Sequence, residues 1–128
     1  MWAIMAAPLV FSSDPRTMSP TTLQILTNRD VIKVDQDKLG QQGELVSESS
    51  PGLEVWRKRL SNGDVAVALF NETDQAAPIS TTADRVGVQV KGSGVTVRDL
   101  WSHQQWRSSG TLSATVPAHG TVMYRVGK

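Results

Sequence analysis

The sequence predicts a mainly β fold: an antiparallel, Greek-key-like β-sandwich preceded by a short helix-strand-helix segment. Two strand-like runs flank Asn62-Gly63 between Leu53 and Phe70, a strong local hairpin signal. Past Gly43, short alternating runs recur with Gly, Pro and Ser between them, about seven in all, as in a sandwich. Ahead of Leu39 the signals are helical instead, with caps and a helix-starting proline.

Met1 to Phe11 is almost wholly apolar and carries no charge. A signal peptide is one reading, but it has no positive leading region and Pro8 interrupts its apolar core. The preferred reading is the last turns of a buried helix, Met1 to Ala7, broken at Pro8 and followed by a short buried strand, Leu9 to Ser12. Such a piece needs neighbours on all sides, so the chain is expected to begin inside a larger domain. Ser12 to Arg16 is a loop. Ser19 caps a helix with Pro20 in its first position, running to Leu26, and Asn28 caps a second helix, Arg29 to Val34. The connector that follows places a domain boundary between residues 1–38 and 39–128.

Glu44 to Glu48 is a short strand. In the next, Leu53, Val55 and Arg57 share one face, and Glu54, Trp56 and Lys58 share a more polar one. Val65 to Phe70 is apolar on both faces, which marks a central strand covered on each side. Asn62-Gly63 suits a type I′ turn, with Gly63 at positive φ. Gly63→Val should then be costly, and Gly94→Ala, in a looser turn, less so. Pro78 to Thr82 reads as an edge strand, and Asp84 to Val90 as either a helical turn or a strand. Val95 to Trp101 alternates, and Ser102 to Gly110 is a polar loop carrying His103 and Trp106. Thr111 to Val116 turns Leu112, Ala114 and Val116 inward. Thr121 to Val126 does the same with Val122, Tyr124 and Val126.

Composition narrows the function classes. The 13 basic and 12 acidic residues form no block of like charge, so neither a nucleic-acid footprint nor a membrane-binding face is indicated. There is no cysteine, hence no disulfide, thiolate metal site or cysteine nucleophile; the compartment stays open. Asp35 and Asp37 have the spacing of paired carboxylates, but no calcium-loop pattern follows them, and a solvated or capping role is the simpler reading. His103 and His119 each lie in a turn or loop without a partner motif. Trp56, Trp101 and Trp106 could stack on sugar rings, although packing is the commoner use of Trp in a sandwich.

Three stretches carry a family resemblance. They are WAIMAAPL with Ser13, Asp14 and Arg16 after it, the run from Ser19 to Asp37 ending in VDQD, and Leu39-Gly40 with Gln42-Gly43. They resemble the end of the catalytic barrel of family 27 glycoside hydrolases, the α-galactosidases (melibiases). EVW, NGDVAVALFN, VRDLW and PAHGTV are similar to the C-terminal β-sandwich of the same enzymes. The resemblance implies that the helical segment is a remnant of a (β/α)₈ barrel. It also implies a parent enzyme that removes terminal α-galactosyl residues with retention, using two aspartates. Retention requires two carboxylates about 5 Å apart, and in the family both lie upstream of the motif at which this sequence starts. No catalytic residue, metal or cofactor is therefore assigned. Asp14, Trp56 and Trp106 remain candidate substrate contacts. The expected partners are the missing catalytic barrel and a galactoside-containing carbohydrate, with no nucleic acid and no membrane.

Overall fold

The computed structural model describes residues 1–127. Its helices are α1 (Pro20–Leu26) and α2 (Arg29–Asp35). Its strands are β1 (Glu44–Ser50), β2 (Leu53–Arg59), β3 (Val65–Asn71), β4 (Ala77–Thr82), β5 (Val95–Asp99), β6 (Gln105–Ser108), β7 (Thr111–Val116) and β8 (Thr121–Gly127). No helix is long and apolar enough to cross a membrane among the described residues.

Six strands form one antiparallel sheet in the order β1-β2-β3-β8-β5-β6, and β4 pairs with β7 in a second. The chain crosses to the small sheet after β3, returns for β5 and β6, and crosses again for β7. It then closes with β8 between β3 and β5, a Greek-key-like path. The expected central strand is there: all of β3 is buried except the half-buried Phe70. Its two faces feed different cores. Val65, Val67 and Leu69 join Val97, Val126 and Tyr124 against Ile79, Leu112 and Val116 of the small sheet. Val86 and Val88, from the link after β4, close that core. Ala66 and Ala68 face the other way, with Leu60, Leu100 and Met123, and meet Ala3, Ile4 and Val34. The chain around Ala3 and Ile4, together with α2, thus lies on the outer face of the large sheet.

The helices start as their caps dictate. Ser19 Oγ accepts from Thr22 N, and Asn28 Oδ1 accepts from Asp30 N and Val31 N. Four expectations need correction. Met1 to Ala7 makes a single hydrogen-bonded turn rather than a helix, through bonds such as Met5 N to Met1 O. Leu9 to Ser12 forms no strand and is exposed, Val10 by 74% and Phe11 by 51%, because no described residue covers its outer side. The stretch taken as a polar loop contains β6, which pairs with β5 along Val95 to Arg98. A four-residue edge strand of polar composition shows no alternation to read. The β2–β3 turn is not type I′. Gly63 N donates to Leu60 O, so Ser61 and Asn62 are the central residues and Gly63, at φ +87°, follows them. That is a type I turn with a glycine bulge, the other common solution for short hairpins.

The ambiguous stretch after β4 is a turn over 83–87 followed by extended chain. At the rim of the large sheet, β1 pairs with β2 through two register shifts, between Leu45 and Ser47 and between Glu48 and Ser50.

Candidate functional site

The polar-looking face of β2 is where the two parts of the chain are joined. Lys58 is 1% exposed, enclosed between the sheet and residues 1–38. A buried ammonium is tolerated only when its protons find acceptors. Its Nζ donates to the carbonyl oxygens of Val34 (2.7 Å), Ala3 (3.0 Å) and Asp35 (3.3 Å). Burial pushes the Lys58 pKa down, opposed by the negative charges of Asp35 and Asp37. Beside it, Asp37 ties the connector to the hairpin. Its Oδ1 accepts from Leu39 N and Ser61 N, and its Oδ2 from Ser61 Oγ. Burial alone would raise the Asp37 pKa, but these bonds and the Lys58 charge bring it below the usual carboxylate range. Asp35 and Asp37 are thus structural; Asp35 is buried with Oδ1 unpartnered.

The second junction lies at α2. Asn28 Nδ2 donates to Leu100 O at 2.8 Å. Asp30 Oδ2 receives Arg98 Nε at 2.9 Å and Nη2 at 2.8 Å, and His103 Nδ1 at 2.9 Å. Burial disfavours the Asp30 charge, yet the bonds from His103 and Arg98 outweigh it and lower its pKa. His103 is placed by Asp99, whose Oδ1 accepts from Trp101 N and Ser102 N, and it adopts φ +62°. Sequence reading missed this pairing; its one local signal was the aspartate two positions before Trp101.

The expected substrate contacts do not converge. Asp14 is exposed and held by Arg16, whose Nε donates to Oδ1 and Nη2 to Oδ2; this partner keeps its carboxyl below the usual range. Trp56 is half-buried on the outer face, its Nε1 donating to Glu54 Oε2 at 2.6 Å. Trp106, 41% exposed, stands edge-on to Tyr124 with ring centroids 5.5 Å apart. Tyr124 belongs to the inner core, so Trp56 and Trp106 occupy opposite faces of one sheet and share no platform. His119 is exposed and contacts Asp74, also exposed. Among the described residues, no group of three or more His, Asp or Glu could hold a metal ion.

A further surface is apolar. Trp2, Leu9, Phe11 and Ile25 line a groove of about 530 Å³ that reaches Trp101, and Val10 and Leu23 are exposed nearby. Isolated exposed apolar residues are ordinary, but a contiguous patch of this kind marks an interaction surface.

Comparison with known proteins explains the two-part build. Residues 50–126 match the family model described as the alpha galactosidase C-terminal beta sandwich domain, and residues 1–37 match that described as alpha galactosidase A. The chain belongs to the α-galactosidase family. An α-galactosidase of Oryza sativa subsp. japonica is 44% identical over 125 residues, covering 97% of this chain and 29% of that protein. One from Cyamopsis tetragonoloba is 42% identical, with 97% and 30% covered. The chain therefore spans less than a third of the length of these curated relatives. The crystal structure of α-galactosidase I from Mortierella vinacea superposes with a TM-score of 0.88 at 29% identity, covering 98% of this chain and 33% of that one. The turn of residues 1–7 and both helices fall in the segment that matches the alpha galactosidase A model, and β2 to β8 in the segment that matches the sandwich model, with β1 almost wholly between the two.

Proposed function

We propose that this chain is the C-terminal part of a retaining α-galactosidase, in which residues 1–38 complete a catalytic barrel and residues 39–128 form the sandwich that packs on it. The observation that carries this reading is the exposed apolar surface of residues 2–25, which lies on the same segment that matches the enzyme rather than the sandwich. A barrel completing its wall there would cover Trp2, Leu9, Val10 and Phe11. The sandwich holds that segment in place through Lys58 and Asp37.

The chain alone does not hydrolyse an α-galactoside on this reading. Retaining hydrolysis needs one carboxylate as nucleophile and a second as acid and base, about 5 Å apart. Asp14 is paired with Arg16, Asp37 accepts from Ser61 and Leu39, and Asp30 accepts from Arg98 and His103. None is left as a free pair at the mouth of a cleft. The alternative of a stand-alone module with Trp56, Trp101 and Trp106 as one exposed sugar platform gains no support, since Trp56 and Trp106 lie on opposite faces. Purified chain assayed on a nitrophenyl α-galactoside should give no turnover above the blank. Turnover that survives repurification and vanishes in Asp14→Asn would overturn the proposal.

A further inference from the structure

A cleft of about 610 Å³ opens where α1 and α2 meet the loop between β5 and β6. Its wall includes Gln24, Asp30, Arg98, Trp101 and His103. We propose that this cleft binds one neutral sugar ring, with Trp101 as its apolar wall and Asp30, Arg98 and His103 as partners for the hydroxyls.

The chemistry of the wall is mixed in the way a polyol requires. All three bonds to Asp30 end on Oδ2, which leaves Oδ1 without a protein donor among the described residues and able to accept from a hydroxyl. Arg98 uses Nε and Nη2 on Asp30, so Nη1 is a remaining donor. His103 engages Asp30 through Nδ1 and is about half exposed, so Nε2 is open to a ligand. Gln24 adds an amide, both donor and acceptor. Trp101 is 38% exposed, and its Nε1 is spent on Thr121 O at 3.1 Å, which fixes the ring. A sugar ring has hydroxyls around its edge and C–H groups on its faces, and this wall offers partners for both.

Other ligand classes fit less well. An anion would meet the Asp30 carboxylate, and Arg98 and His103 already face that charge. Arg29 and Lys33 also line the cleft, so an anion is tested directly. A purely apolar ligand has the neighbouring groove, lined by Leu9, Phe11 and Ile25. The backbone at His103, at φ +62°, holds a non-glycine residue in the left-handed region, which fixes where its ring stands at the cleft.

The cleft shares Ile25 and Trp101 with the apolar groove that the proposed barrel would cover, so binding is tested on this chain as it stands, and the choice of galactose as a probe rests on the proposed function. The test is a titration of the ¹⁵N-labelled chain with galactose, glucose and mannose in separate series, and with sodium sulfate in a fourth. At least one sugar should shift amides in residues 28–30 and 98–104, with a Kd in the millimolar range. Trp101→Ala and His103→Gly should each weaken binding about tenfold or more, roughly 1.4 kcal/mol. The glycine tolerates the positive φ, so its loss of binding cannot be assigned to strain. The proposal is overturned if no sugar shifts these amides, if both variants bind unchanged, or if sulfate produces the same shifts.

Discussion

The two faces of the large sheet are built by different means. The inner face is largely aliphatic: Val67, Leu69, Val97 and Val126 meet Ile79, Leu112 and Val116, and most contributing side chains come from strands. The outer face has small residues at its centre, Ala66 and Ala68, and a charged side chain beside them. Small residues let another backbone come close. Lys58 Nζ then reaches the carbonyls of residues 3, 34 and 35 directly. One face is held by shape and burial; the other is a polar clasp around chain that has little regular structure of its own.

Substitutions on the two faces should therefore fail differently. Leu69→Ala removes a fully buried side chain from the inner core and should cost about 2–5 kcal/mol, lowering the denaturation midpoint of the whole chain. Lys58→Met keeps most of the volume but strips three carbonyls of their donor, for a loss of about 1.5–3 kcal/mol. Its readout is hydrogen exchange. Residues 1–38 should lose protection while β3, β7 and β8 keep theirs. Equal loss across both segments would sink the proposed division at residues 38 and 39.

Turns sharpen the same contrast. Gly63, at φ +87°, has open space where a Cβ would stand, so Gly63→Ala should cost about 1 kcal/mol from backbone strain alone. Gly94, at φ +83°, would drive a Cβ into the backbone carbonyl of Ser108. Gly94→Ala combines the same strain with displacement of β6 and should cost more than Gly63→Ala; the sequence comparison of Gly63→Val with Gly94→Ala did not contain that contact. Urea titrations of both variants give the comparison, and a smaller loss at Gly94 would mean that β6 moves freely.

The smallest effect belongs to the Asp30 junction. Because the Asp30 pKa is lowered in the folded chain, its contribution is present above the ordinary carboxylate value and is lost as pH falls through the folded one. Asp30→Asn should cost roughly 1 kcal/mol near neutrality. The gap to the parent chain should close in strong acid, where both side chains are uncharged. A gap that stays constant with pH would show that the charge contributes nothing.

These differences also explain what could be read in advance. Val95 with Val97 and Leu112 with Val116 alternate with the period of a strand, and Val65 to Phe70 is apolar on both faces as a central strand is, so these parts of the inner core were legible, while Val86 and Val88 came from a stretch left open between turn and strand. Lys58 was placed on a polar face because its partners are backbone carbonyls 23 to 55 positions away, which leave no mark on side-chain pattern. Asn62-Gly63 fits two turn types, and the bond from Gly63 to Leu60 decides between them. The Asp30–His103 pair spans 73 positions, so neither residue pointed to the other. The helix caps at Ser19 and Asn28 were legible because a cap is a contact between near neighbours.

The irregular rim of the large sheet has a consequence for how copies of this chain meet. A strand with one free side is a template on which another molecule can extend the sheet, provided its row of amides and carbonyls is long and straight. Neither rim offers that. Along β1 the register breaks twice within seven residues, and Glu48 adds an exposed negative charge. On the far side β6 is only four residues long, and its Arg107 is bonded back to Ser93 and Thr96. The sheet therefore ends at both sides in strands that give a passing chain little to copy. Between copies, the rims of the large sheet thus give way to the apolar groove of residues 2–25, where contacts are between side chains, and the straight free edges are those of β4 and β7 in the small sheet.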